Sequence, residues 1–200
     1  MSVVIAIKEG DHIVMGSDRQ VSFSWTKELV PSKMFAIKNC PNGLMGVVGL
    51  ARGLQVLQAQ KDLVDELKRL KGEIDFDYCV TNLYEKIYSV FLQYRLVEKK
   101  DGEYVNCLDC EFLFAYKDRG WLISGSGFVM GLINDDFIVI GSGAETAEAV
   151  LRKNVGKPAE ERIREAIKIC SETQLYVDNN VVLMTTETEN GEMPNKNATH

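Results

Sequence analysis

A chain of 200 residues, 46% hydrophobic and 26% charged, has the material for one sizeable core, which excludes wholesale disorder, collagen-like repetition and a disulfide-dense mini-scaffold. With 23 Lys and Arg against 29 Asp and Glu, the formal charge of -6 exerts no general pull toward nucleic acid or anionic lipid. Five cysteines in an odd, scattered set fit reduced thiols and a cytoplasmic location, no stretch approaches the roughly 18 apolar residues of a membrane span, and Lys8, Glu9 and Asp11 interrupt the first apolar run before a secretory signal could form.

The chain opens with Ser2 to Ile7, a Val- and Ile-rich run, then the turn signal Glu9-Gly10-Asp11 and a second apolar run from His12 to Met15, which predicts a β-hairpin. After a polar stretch from Ser17 to Lys27, residues 34–37 and 44–48 read as short strands around the Asn39 to Gly43 turn. Leu54, Leu57, Val64, Leu67 and Leu70 recur at helical spacing up to Lys71-Gly72, predicting one amphipathic helix. A second follows, capped by Asp75, with Phe76, Val80, Leu83, Ile87, Val90 and Tyr94 as its apolar stripe. Residues 98–104 suit a loop or hairpin tip. Strands are expected at 112–116, 121–123 and 136–140, and helices at 144–153 and from Pro158 with Ile163, Ala166, Ile167 and Cys170 inward. Val181 to Thr186 closes as a strand, giving one domain over residues 1–186 with a polar tail at 187–200. Strands, helix pair, strands, helix pair, strand is an α+β order that suits two sheets buried against each other, each covered by helices: a four-layer αββα sandwich.

Few residues are equipped for chemistry. His12 and His200 are the only histidines, so a Ser-His-Asp set would depend on His12 alone. Cys107 and Cys110 form a lone C-x-x-C without a second pair or a nearby histidine, short of a zinc set; no metal and no organic cofactor is expected. Gly125, Gly127 and Gly131 lack the Lys-Ser/Thr ending of a phosphate loop and read as a turn. Ser2 remains. Removal of Met1 would put a hydroxyl and a free α-amine on one residue, and an amine titrating near 7.7–8.0 can act as base for its own side chain. The alternative is a serine that merely begins a strand.

Read together, Ser2 to Ile7, Val14-Met15-Gly16-Ser17-Asp18-Arg19-Gln20, Ser32-Lys33-Met34-Phe35, Met45-Gly46-Val47-Val48-Gly49 before a helix, and Ile140-Gly141-Ser142-Gly143 before another resemble the proteasome β-subunit family. The resemblance is to its bacterial branch, the peptidase subunit of a two-component ATP-dependent protease, and spans Ser2 to about Thr186. It implies an N-terminal nucleophile hydrolase that cleaves peptide bonds, with Ser2 where most members carry threonine, Asp18 and Lys33 as the charged pair beside it, Gly46 as the oxyanion glycine, and Ser142 near the amine, where it could equally cap the following helix. Arg19, Gln20, Val21 and Ser22 match the edge that pairs with an extended peptide, and Met45 and Gly49 match positions that shape a side-chain pocket or else belong to the core. The family's Asp-x-x-Ser-Gly is here Glu172-Thr173-Gln174-Leu175-Tyr176. The implied partners are a peptide or unfolded-protein substrate, further copies in a homo-oligomeric ring and an ATP-dependent unfoldase, with no nucleic acid and no membrane. A non-catalytic structural subunit and a small-molecule amidase or cyclohydrolase on the same fold are the alternatives.

Overall fold

The computed structural model describes residues 2–187 apart from 24–25, 101–102, 105–106 and 133–135. Met1 and residues 188–200, most of the expected tail, lie outside the described residues. The first hairpin pairs β1 (Val4–Glu9) with β2 (His12–Ser17), Val4 opposite Ser17. Its polar sequel, where composition predicts no strand, forms a ribbon of β3 (Gln20–Phe23) and β4 (Thr26–Leu29). Next come β5 (Met34–Ala36) and β6 (Gly43–Gly49), then α1 (Ala51–Ala59), α2 (Glu66–Leu70), α3 (Phe76–Tyr78), a π-helical turn at Cys79–Leu83 and α4 (Tyr84–Gln93). A small ribbon, β7 (Lys99–Lys100) and β8 (Glu103–Tyr104), precedes β9 (Cys110–Tyr116), β10 (Arg119–Ile123), β11 (Val129–Gly131) and β12 (Phe137–Ile140). The chain ends with α5 (Ala144–Lys153), α6 (Ala159–Thr173) and β13 (Val182–Thr185).

Two sheets result, ordered β12-β1-β2-β13 and β11-β10-β9-β6-β5. Strand alternation sends Val4, Ala6, Ile13, Met15 and Ile140 of the first sheet against Met34, Leu44, Val48, Leu113 and Ala115 of the second. The outer face of the first sheet, with Ile5, Ile7 and Val14, packs on Leu151, Ile163 and Ile167 of α5 and α6. The outer face of the second, with Met45, Val47, Phe112 and Phe114, packs on Leu54, Leu57, Ile87 and Phe91 of α1 and α4. The architecture is the αββα sandwich read from the element order, and each such buried side chain contributes roughly 1.5–3 kcal/mol. Glu9 Oε1 accepts the Ala159 amide at 2.7 Å, satisfying a donor at the α6 N-terminus that Pro158 cannot cap. Among the described residues no helix is long and apolar enough to cross a membrane.

Two helical expectations are corrected. The single helix to Leu70 is broken: residues 60–65 leave the helix because Asn39 holds both backbone groups of Val64, and Asp65 then caps α2 by accepting the Lys68 amide. Leu63 and Val64 are buried, whereas Leu67 and Leu70 are exposed. The second stripe also shifts, with Tyr78 and Cys79 buried and Phe76 and Val80 exposed, because the π turn adds a residue and rotates the helix that precedes it.

Candidate active site

β2 runs antiparallel to β1, so the residues that follow Ser17 lie beside those that precede Val4. Asp18 is thereby fully buried next to the start of β1. Its Oδ1 accepts the Val3 amide at 3.0 Å and Lys33 Nζ at 2.7 Å, and its Oδ2 accepts the Gln20 amide at 3.1 Å. Lys33, only 2% exposed, sits just before β5 and is held from the other side by its carbonyl, which accepts the Val47 amide at 3.0 Å. Burial pushes the Asp18 carboxyl above its ordinary range, against the pull of Lys33 and of the Val3 and Gln20 amides. Burial likewise lowers the Lys33 ammonium, opposed by the charges of Asp18 and Asp178.

The loop after β12 grips Ser2 by its backbone. The Ser2 N–H donates to Ser142 Oγ at 3.2 Å, and the Ser2 carbonyl accepts the Gly143 amide at 3.3 Å. Gly141 has φ +99°, and a Cβ there would lie 2.2 Å from the Ser2 carbonyl oxygen, so this position needs glycine for both its conformation and its closeness. The helix-cap reading of Ser142 is not what the structure has: Gly143 is the N-cap of α5, without a side-chain bond, and the Ser142 hydroxyl serves Ser2.

Ser2 is buried and lines a cleft of about 780 Å³ whose walls include Val21, Ser22, Gly49, Asp109, Glu111 and Ser126. Of the residues expected to bind substrate, Val21, Ser22 and Gly49 line this cleft. Arg19 and Gln20 lie behind it. The Arg19 guanidinium gives Nε to the Val30 carbonyl at 2.7 Å, and Gln20 is buried. Met45 is fully buried in the core under α1 and α4, which resolves its two readings in favour of packing. In β3 the Val30 amide donates to the Arg19 carbonyl, so strand alternation turns the Ser22 N–H and C=O away from β4, onto an edge left without a strand partner among the described residues.

Gly46 is a correction. It does not line the cleft but lies between the sheets, where a Cβ would meet Val4 Cγ1 at 2.7 Å and Met15 Cε at 3.1 Å. Leu50 donates to the Asp109 carbonyl, and the same alternation aims the Gly46 N–H into the β9 ladder opposite Leu113, where it is already committed. Gly49, at φ +104°, has the opposite parity: its N–H points toward the side where β5 has already ended.

One carboxylate was not legible. Glu172, the expected counterpart of the family's aspartate, is exposed at the end of α6, whereas Asp178, six residues on, accepts the Arg19 amide through Oδ2 at 2.8 Å. The Asp178-Asn179-Asn180 sequence, a side chain able to bond its own backbone two residues on, was the available signal; Oδ1 indeed accepts the Asn180 amide at 2.6 Å. His12 lies opposite Glu9, five residues or roughly 17 Å along β2 from the Ser2 end. All five cysteines are free thiols. Cys110 is buried, accepts the Leu50 amide, and has its thiol pushed up to about 12 by burial, while Cys107 lies exposed on the cleft wall.

Among known proteins, subunits described as "ATP-dependent protease subunit HslV" are similar along the chain. That of Caldanaerobacter subterraneus subsp. tengcongensis is 27% identical over 194 residues, covering 92% of this chain and 97% of its own. That of Sulfurihydrogenibium sp. is 25% identical over 186 residues, covering 91% and 94%. Two solved structures share the fold: eukaryotic HslV from Trypanosoma brucei, with 18% identity, TM-score 0.62 and coverage of 92% and 98%, and Thiobacillus denitrificans BPH in complex with epoxomicin, with 14% identity, TM-score 0.70 and coverage of 92% and 97%. The family profile described as "Proteasome subunit" matches residues 2–185, beginning at the serine that the Gly141–Gly143 loop holds and whose neighbour Val3 is bound by the buried Asp18–Lys33 pair, and the chain belongs to that family.

Proposed function

We propose that the protein is a peptidase whose nucleophile is the Ser2 hydroxyl, exposed together with a free α-amine by removal of Met1. The observation that carries this reading is what surrounds Ser2: Asp18, paired with Lys33, holds the amide of the adjacent Val3, Ser142 and Gly143 hold the nitrogen and carbonyl of Ser2 itself, and Ser2 lines an open cleft. The neutral α-amine takes the hydroxyl proton, and the Lys33 charge favours its neutral form and the developing alkoxide. Ser2 Oγ attacks the scissile carbonyl, the protonated amine gives its proton to the leaving amine, and an acyl-enzyme remains. Water, deprotonated by the same amine, releases the acid. Ser142 Oγ accepts from the nitrogen throughout and so aims its lone pair. The oxyanion donor in this reading is the Gly49 amide, and the peptide lies extended along Ser22, whose N–H and C=O bind it without regard to side chains.

Serine does the work of the threonine common in the family, because the hydroxyl is the reacting group and the absent methyl restricts only its rotamer. The relatives named as ATP-dependent protease subunits support assembly of copies into a ring, an ATP-dependent unfoldase as partner, unfolded protein as substrate and a cytoplasmic setting. Intact mass and fluorogenic-peptide turnover test the reading. The expected result is a chain starting at Ser2 that cleaves peptides and a folded Ser2→Ala variant that does not. Retention of Met1 would instead indicate a structural subunit, and labelling of Ser2 without peptide turnover a small-molecule amidase.

A further inference from the structure

The segment between α6 and β13 reaches the strand after Asp18 at two consecutive residues. Asp178 Oδ2 accepts the Arg19 amide at 2.8 Å, and the Leu175 carbonyl accepts Gln20 Nε2 at 3.2 Å. Asp178 Oδ1 is tied to the Asn180 amide at 2.6 Å, so the carboxylate is oriented by its own turn before it meets Arg19. The Arg19 guanidinium is directed to Val30, leaving backbone rather than side chain as what Asp178 holds. Arg19 stands between Asp18, which anchors Lys33, and the Val21–Ser22 wall of the cleft.

The geometry points to Asp178 as a positioning residue of the Ser2 centre: its carboxylate fixes the Arg19 amide, and with it Asp18, and adds a second negative charge to the surroundings of Lys33. This inference rests on the Ser2 peptidase reading. The charged groups acting on Lys33 are Asp18 from the end of β2 and Asp178 from the α6–β13 segment; the Cys170 thiol on α6, which donates to the Gly143 carbonyl and is pushed up to about 11 by burial, feels the charge of Asp18. Two carboxylates hold the ammonium protonated against its burial; with one removed, Lys33 loses its proton at lower pH.

Asp178→Asn removes the charge and keeps one acceptor oxygen where the carboxylate serves the Arg19 and Asn180 amides with two, whereas Asp178→Ala removes the charge and both acceptors. In Asp178→Asn the alkaline limb of kcat/KM moves to lower pH, kcat on that limb falls on the order of tenfold and KM stays near its original value. In Asp178→Ala, KM rises as well, because the Ser22 edge is released. An NMR titration of labelled Lys33 in the Ser2→Ala protein, with and without Asp178→Asn, reads the same charge without turnover. An unmoved pH limb together with an unmoved Lys33 titration overturns the inference. A moved titration in a protein whose unmodified form cleaves no peptide overturns the peptidase reading and leaves the hold of Asp178 on Lys33 standing.

Discussion

The Ser2 nitrogen and the Ser142 hydroxyl meet at 3.2 Å although 140 residues separate them. Nothing local to Ser2 supplies that acceptor; pairing of β12 with β1, Val4 opposite Ile140, brings the loop to it. Ser142→Ala should therefore lower kcat by roughly 10- to 100-fold with KM nearly unchanged, as expected for a group that orients the base without touching the bound peptide. Steady-state kinetics on a fluorogenic peptide decide it, and an unaltered kcat would remove Ser142 from the mechanism.

Gly141→Ala forces a side chain into a left-handed backbone and toward the Ser2 carbonyl. Strain of roughly 1–3 kcal/mol is expected, with activity reduced about a hundredfold by displacement of Ser2. Gly72, at φ +75° with nothing within 4 Å of where a Cβ would stand, is the control: Gly72→Ala should cost about 1 kcal/mol and leave turnover intact. Urea denaturation and turnover of both variants separate backbone strain from the effect on the site.

Lys33→Met leaves Asp18 as a buried charge without its cation, and should cost about 3–5 kcal/mol as well as turnover. Adding Asp18→Asn should restore most of the stability and none of the activity, since both changes together remove a pair whose burial is expensive. Recovered stability without recovered turnover identifies the pair as a functional burden; a double variant as unstable as the single would assign it to the fold.

The same pair sets a pH dependence. Lys33 titrates below its ordinary 10.5 when folded, so between the two values the unfolded chain binds more protons and stability rises with pH. Asp18 titrates above its ordinary 3.8 when folded, so in that window the folded chain binds more protons and stability falls as pH rises. The stability difference between the original protein and the Asp18→Asn, Lys33→Met double variant should be least favourable to the original near neutrality and should narrow toward both extremes. Denaturation across roughly pH 3–11, which takes in the ordinary values of both groups, measures it. A flat difference would contradict the assigned shifts.

Ser22→Pro removes an N–H that faces the open edge of β3 while sparing the bonds to β4. KM should rise about five- to tenfold with little change in kcat, the loss of one peptide hydrogen bond worth about 1 kcal/mol. Val21→Pro, which instead cuts the ladder to β4, should destabilise the ribbon; equal effects of the two would argue against an extended peptide on this edge.

Periodicity in the sequence was sufficient for the hairpin of β1 and β2, for α5 and α6 and for the order of layers, because in those segments burial repeats every two residues or every three to four and leaves its mark on composition. Ser2, Asp18, Lys33 and Ser142 were legible through the motifs around them. The β3–β4 ribbon was not, since a two-stranded edge element buries little and its residues stay polar; nor was the break at 60–65, which Asn39 imposes from a different part of the chain. Gly46 and Gly49 show the limit most clearly. Both are glycines on one strand, and only the strand register, which commits alternate amides to β9, decides which N–H is spent on the sheet and which opens toward the cleft. Asp178 entered for the same reason: a hydrogen bond to a backbone amide 159 residues away selects no residue type at that amide, so only the folded chain could reveal it.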